Sequence, residues 1–161
     1  MLGYNVAWTK DFEALSNLMQ LPEIANFAFE SDTALQFIDN DEIVRYAAIT
    51  VSSKIVGVFV YLRKLDKLWE VHTCISNEAR GKLAVRAARD SIKLLFKDTT
   101  AECLTTMVPA SYTNVLSFTK LVGLKHCGYL AKAFNRNGEQ QNLVLFDLTR
   151  MEALCLYQVQ L

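Results

Sequence analysis

Residues 69–88 read WEVHTCISNEARGKLAVRAA, and this stretch decides the fold. Trp69 to Ile75 mixes aromatic, β-branched and alternating polar residues, the pattern of a strand. A short polar turn follows, and Arg80-Gly81-Lys82 then opens a helix. The first N–H groups of a helix have no intrahelical partner, and the helix dipole favours negative charge there. A strand that delivers its end to a basic, glycine-containing helix start is what a phosphate-bearing ligand requires.

Towards the C-terminus, Gly81–Lys97 is the clearest helix. Ala84, Ala87, Ala88, Ser91 and Leu95 give it one face of mainly small residues, which lets a helix sit close to a sheet. Lys82, Arg86, Arg89, Lys93 and Lys97 recur on the opposite side at three- and four-residue steps. Such a stripe reads either as a solvated face or as a surface for an acidic partner or a ligand phosphate. Glu102–Val108 follows as a strand, then a helix with Ser111 as its expected cap and Gly123 as its left-handed exit. Leu124–Asn135 and Gln141–Arg150 read as a hairpin about Asn135-Arg136-Asn137-Gly138, where Asn-Gly is a strong turn signal. Residues 1–150 are expected to form one domain. The tail Met151–Leu161 is apolar, so it is expected either to pack back or to meet another chain.

Towards the N-terminus, Leu68–Ser76, Ile55–Arg63 and Ile43–Val51 predict a three-stranded antiparallel meander, turning at Lys64–Lys67 and Ser52-Ser53-Lys54. Lys10–Gln20 places Phe12, Leu15, Leu18 and Met19 at helical spacing. Pro22 restarts a second helix over Glu23–Phe29, and a third is expected over Asp32–Ile38 with Asp32 as cap. Leu2–Trp8 fits a short first strand.

Of 161 residues, 52 % are hydrophobic and 21 % charged, which fits one folded domain with a substantial core. The 17 basic and 17 acidic residues cancel, so global charge points neither to nucleic acid nor to an anionic membrane. Apolar runs such as Ile55–Leu62 fall well short of the roughly 20 residues of a membrane helix, and the start carries no basic-then-apolar leader. Cys74, Cys103, Cys127 and Cys155 are singly spaced with no C-x-x-C pair, so buried thiols in a reducing cytosol are expected.

The order helix–helix–β–β–β–helix–β–helix–β–β, with the long helix entering after a basic turn, resembles the GNAT superfamily of N-acetyltransferases. Ile75-Ser76-Asn77-Glu78-Ala79-Arg80-Gly81-Lys82 looks like the end of that family's fourth strand and its acyl-CoA loop. Val108-Pro109, Asn114 and Val122-Gly123-Leu124 look like its fifth strand, next helix and helix exit. Among its members, the chain is most similar in size and in its Arg80-Gly81-Lys82-x-Ala84 form to small bacteriophage-encoded ones, including head-assembly proteins. The resemblance implies an α/β (α+β) fold: a mixed, mainly antiparallel sheet of six to seven strands flanked by helices, splayed between strands four and five. It further implies that acetyl-CoA lies in that wedge, its pantetheine arm pairing like a strand. Arg80, Gly81, Lys82, Leu83, Ala84 and Val85 would hold its pyrophosphate, with Ile75 and Ser76 on the strand side. Three positions depart from the family pattern. Leu83 and Val85 stand where its loop usually has small residues, and Thr119 stands where many members carry the tyrosine that protonates the thiolate.

Glu70 and His72 are two apart on a strand and so share a face, which Cys74 continues. A glutamate often stands near this place in the family, and imidazole titrates near neutrality, which suits taking a proton from an amine. Glu70 and His72 are the candidate bases, against the ordinary alternatives of a solvated strand-start residue and a hydrogen-bonded sheet residue. Glu102 and His126 rank behind them. Two histidines without carboxylate spacing do not make a metal site, and no G-x-S-x-G or P-loop pattern occurs. Two functions stay open. One is a cytoplasmic acyl-CoA-dependent N-acyltransferase acting by direct transfer on a small-molecule or protein amine. The other is an inactive GNAT-fold binding or assembly protein of a phage virion, partnered by phage structural proteins or a second copy of itself.

Overall fold

Two hairpin turns with positive φ pin the register of the sheet. A computed structural model describes residues 3–28 and 36–158, with residues 27 and 28 described by backbone alone. β1 (Tyr4–Trp8), β2 (Val44–Val51), β3 (Lys54–Arg63) and β4 (Leu68–Ile75) form an antiparallel meander. Ser52 and Ser53 both take positive φ, 48° and 64°, which matches a two-residue hairpin to the strand twist. β5 (Cys103–Pro109), β6 (Lys125–Arg136) and β7 (Glu139–Thr149) complete a sheet of order β1-β2-β3-β4-β5-β7-β6. Asn137 and Gly138, at φ 52° and 83°, make the β6–β7 turn.

Helices cover the two faces unequally. On the front, α1 (Phe12–Met19) and α2 (Pro22–Ala28) bring Leu15, Leu18, Met19 and Ile24 onto Val44, Tyr46, Val58 and Cys74. On the back, α3 (Lys82–Asp98) presses its small face onto Phe59, Tyr61, Leu104 and Leu148. Ala84, Ala87, Ala88, Ser91 and Leu95 are all buried there. Close approach lets the fully buried Tyr61 hydroxyl reach Ser91 Oγ at 2.7 Å, while that serine donates to the Ala88 carbonyl. α4 (Thr113–Val122) and α5 (Arg150–Tyr157) flank α3. Gly123 ends α4 in the left-handed conformation, at φ 119°. In α5, Ala153 is buried and Tyr157 Oη donates to the Val122 carbonyl, while Met151 and Leu156 face solvent. Among the described residues no helix is long and apolar enough to cross a membrane.

Several expectations are corrected. Tyr112, not Ser111, is the N-cap of α4, because the Ser111 hydroxyl is drawn to Gln141 Oε1 of β7 at 2.6 Å. Of the four free thiols only Cys74 is buried; Cys103 is partly buried, and Cys127 and Cys155 are exposed. Burial pushes the Cys74 thiol up to about 12. The basic stripe is partly structural: Arg89 donates to the Leu121 and Val122 carbonyls at the end of α4, and Lys93 pairs with Asp90. The helix expected over Asp32–Ile38 falls largely outside the described residues, and residues 36–40 carry no regular structure.

Candidate functional site

β4 and β5 run parallel, yet they pair only at Leu68↔Cys103, Trp69↔Leu104 and Glu70↔Thr105. One step on, the side chain of Thr106 takes the place of the ladder, donating to the Val71 carbonyl at 2.9 Å. Beyond that point the strands part. Ser76 N–H bonds to Val56 of β3, and peptide groups alternate sides along a strand, so those of Thr73 and Ile75 point away from β3 into the gap. β5 supplies them no partner. An open strand edge inside a sheet is costly unless something completes it, and this one is held rigid by β3 along its other side.

The mouth of the slot is built by residues 76–85. Ser76 is 2 % exposed, and its hydroxyl has no hydrogen-bond partner among the described residues. A short 3-10 turn, Asn77–Ala79, leads to Gly81, whose φ of 77° and ψ of −136° suit glycine alone. Gly81 is the N-cap of α3 and brings no capping side chain, and the first turn contains no acid. Val85 N–H bonds to the Gly81 carbonyl, which leaves the N–H groups of Lys82, Leu83 and Ala84 as the unused donors. Leu83 and Val85 lean on the back core and Ala84 is buried in it. Arg80 lies at this mouth with its Nη2 3.3 Å from the Glu23 carbonyl of α2.

At the floor of the slot the structure brings Glu70 and His72 together. His72 Nε2 lies 2.8 Å from Glu70 Oε1, and Lys64 Nζ is 3.9 Å from the same oxygen. The carboxylate is buried, with 6 % of its side chain exposed, whereas His72 is 51 % exposed. Donor and acceptor roles in this bond follow the imidazole tautomer; in the one that donates from Nε2 to the carboxyl oxygen, Nδ1 carries the ring's lone pair. Five residues at about 3.3 Å each separate Glu70 from Ile75, so floor and mouth stand roughly 16 Å apart. Glu102 lies elsewhere, at the closed end of the strand pair beside Arg150. His126 lies on β6 with its ring edge on Phe146. Thr119 is buried, and its hydroxyl donates to the Val115 carbonyl. Sequence reading missed Thr73, Thr106, Glu23 and Arg136. Their roles come from which strand or helix lies opposite, and no local pattern marks that.

The fold matches solved structures. A spermidine N-acetyltransferase from Vibrio cholerae, in complex with CoA and spermine, aligns with TM-score 0.77 at 16 % identity, covering 94 % of this chain and 98 % of that one. A ribosomal-protein-S5-alanine acetyltransferase from Vibrio fischeri aligns with TM-score 0.75 at 16 % identity, covering 91 % and 92 %. A probable acetyltransferase of the GNAT family from Chromobacterium violaceum aligns with TM-score 0.72 at 13 % identity, covering 94 % and 85 %. At such identities the likeness establishes the fold, which is that of the GNAT superfamily, splay included. No curated protein matches the sequence. Residues 12–159 match the model of the family described as "Protein of unknown function (DUF2824)", and the chain belongs to that family.

Proposed function

We propose that the protein is an acyl-CoA-dependent N-acyltransferase, with acetyl-CoA as donor and an amine as acceptor. One observation carries this: the unpaired peptide edge of Thr73 and Ile75 ends at the uncapped, basic start of α3. An amide-bearing arm completes such an edge, and a diphosphate suits three free N–H groups flanked by Arg80 and Lys82. The slot residues fit the cofactor on those grounds, and a solved neighbour of the same fold holds CoA. Ile75 and Ser76 would flank the arm; Arg80, Gly81, Lys82, Leu83 and Ala84 would hold the diphosphate, with Val85 closing the first helical turn behind them. The cofactor supplies the activated thioester. The protein's part is to place the amine and take its proton, on the free oxygen of Glu70 or on His72 Nδ1. The N–C bond forms as the C–S bond breaks, and solvent returns a proton to the thiolate, since the Thr119 hydroxyl is turned to Val115.

That inward Thr119 also favours the second reading, a GNAT-fold binding or assembly protein of a phage particle with no turnover. Calorimetry with acetyl-CoA separates the two. Binding in the micromolar range, abolished by Arg80→Glu, supports the enzyme and its diphosphate site. Unchanged heat in Arg80→Glu refutes that placement, and no heat at high micromolar ligand removes the enzyme reading. With an amine acceptor in hand, Glu70→Gln should lower kcat by about 10²-fold or more while leaving acetyl-CoA affinity unchanged.

A further inference from the structure

Among the described side chains of α2, Pro22 to Asn26, only Ile24 is buried, in the front core. Polar attachments sit at the two ends of the helix. At the first end, Glu23 accepts the Asn77 N–H on Oε1 at 3.4 Å and Arg80 Nη2 on its carbonyl at 3.3 Å. Both partners lie just past the end of β4. At the other end, the Asn26 carbonyl accepts from Arg136 Nη2, and Arg136 Nη1 donates to Tyr112 Oη. Tyr112 lies just past the end of β5, its ring 5.7 Å from the guanidinium and edge-on to Phe134. A polar chain therefore runs from the end of β4, through α2 and Arg136, to the end of β5. Those are the two strand ends that the splay separates.

We infer that α2 is a clasp over the mouth of the slot, latched by Arg136 and released when an anion at the start of α3 takes Arg80. The release rests on the acyl-CoA reading; the clasp rests on the contacts just given. A seven-residue helix whose described side chains bury only Ile24, and whose ends are held by polar bonds, belongs to the low-stability elements that open locally. Arg136 suits a latch because its planar fork serves two acceptors at once. Arg80 links latch to ligand. A neutral carbonyl at 3.3 Å is a weaker partner for a guanidinium than a phosphate oxygen, so a diphosphate draws Arg80 off Glu23 and loosens that end of α2. This is the differential interaction that any ligand-driven shift needs.

Hydrogen–deuterium exchange on the full chain, read over residues 23–28 against α3, provides the test. Without ligand, Arg136→Met should speed exchange in α2 on the order of tenfold and leave α3 unchanged. Tyr112→Phe, which removes the hydroxyl that accepts from Arg136 Nη1, should give a smaller rise in the same segment. Wild-type exchange in α2 for both variants, or a rise spread evenly over α3, overturns the clasp. With CoA added to the wild type, α2 should exchange faster, and Arg80→Met should abolish that increase. Slower or unchanged exchange with CoA bound overturns the release. If calorimetry shows that CoA does not bind, the acyl-CoA reading and the release both fall, while the ligand-free result still decides the clasp.

Discussion

β2, β3 and β4 are packed from both sides, by α1 and α2 in front and by α3 behind, whereas among the described residues β5 and β7 bury side chains on the back alone. Met107, Leu143 and Leu145 share the front of β5 and β7, belong to neither core and stay partly exposed. β6, at the sheet edge, is exposed over most of its length and bulges twice. The seam between the halves is the slot. A strand edge left open for a ligand keeps its shape only if the strand is fixed elsewhere. β4 is fixed by β3 and by two cores, so Thr73 and Ile75 can present unpaired peptide groups without collapsing onto β5. The looser half needs no such rigidity, because it contributes mainly one wall.

The sharpest way to break this contrast is to make the same truncation in each half. Leu15 is fully buried in the front core, so Leu15→Ala should cost about 3–5 kcal/mol in chemical denaturation. Leu145→Ala, at a position already partly wet, should cost roughly 1–1.5 kcal/mol. Equal costs would mean that the front of β5 and β7 is packed as tightly as that of β4.

Glycine gives a second matched pair. A Cβ on Gly57 of β3 would come within 2.9 Å of Ile49 Cδ1 and 3.2 Å of Ile75 Cγ1, while one on Gly128 of β6 would meet nothing within 4 Å. Gly57→Ala should therefore destabilise by about 1–3 kcal/mol through overpacking, displacing Ile75 at the slot itself. Gly128→Ala should be neutral or stabilise by up to about 1 kcal/mol, through the unfolded chain. Thermal melts of the two variants, moving in opposite directions, would sharpen the comparison; a parallel fall would break it.

The tight half was also the more legible in sequence. The apolar runs of β2 and β3 and the small face of α3 record packing against neighbours close in the chain, and Ala84, Ala87, Ala88, Ser91 and Leu95 are buried as their spacing predicts. In the other half, side-chain environment depends on pairing over long separations. Ser111 reads as a cap until Gln141, 30 residues away, takes its hydroxyl. Cys127 reads as a strand thiol, yet it sits in a bulge of an edge strand and is exposed. The site divides the same way. The Glu70–His72 face and the Arg80-Gly81-Lys82 turn are local patterns. The ends of the clasp are not, since Asn26 and Arg136 meet across 110 residues.

The smallest effect concerns how the loose half is fastened behind. α5 begins at a capping box in which Glu152 accepts from Thr149 N–H and Oγ1, while its other oxygen pairs with Lys125 of β6 at 2.5 Å. Lys125 foremost, then Thr149, holds the Glu152 carboxyl down to about 2. An unfolded glutamate titrates near 4.3, so the folded state binds this proton less readily. The resulting stabilisation is complete above that value and is lost as pH falls through 4 towards 2. Exchange in α5, corrected for the intrinsic rate, should rise over that window, with α3 as internal control because its first turn carries no acid. Glu152→Gln should show raised exchange already at neutral pH and no further dependence on acid. If α5 in the wild type holds its protection down to pH 2, Ala153 and Tyr157 fasten the helix without the capping box. The back of β7 would then be as firmly closed as the back of β3.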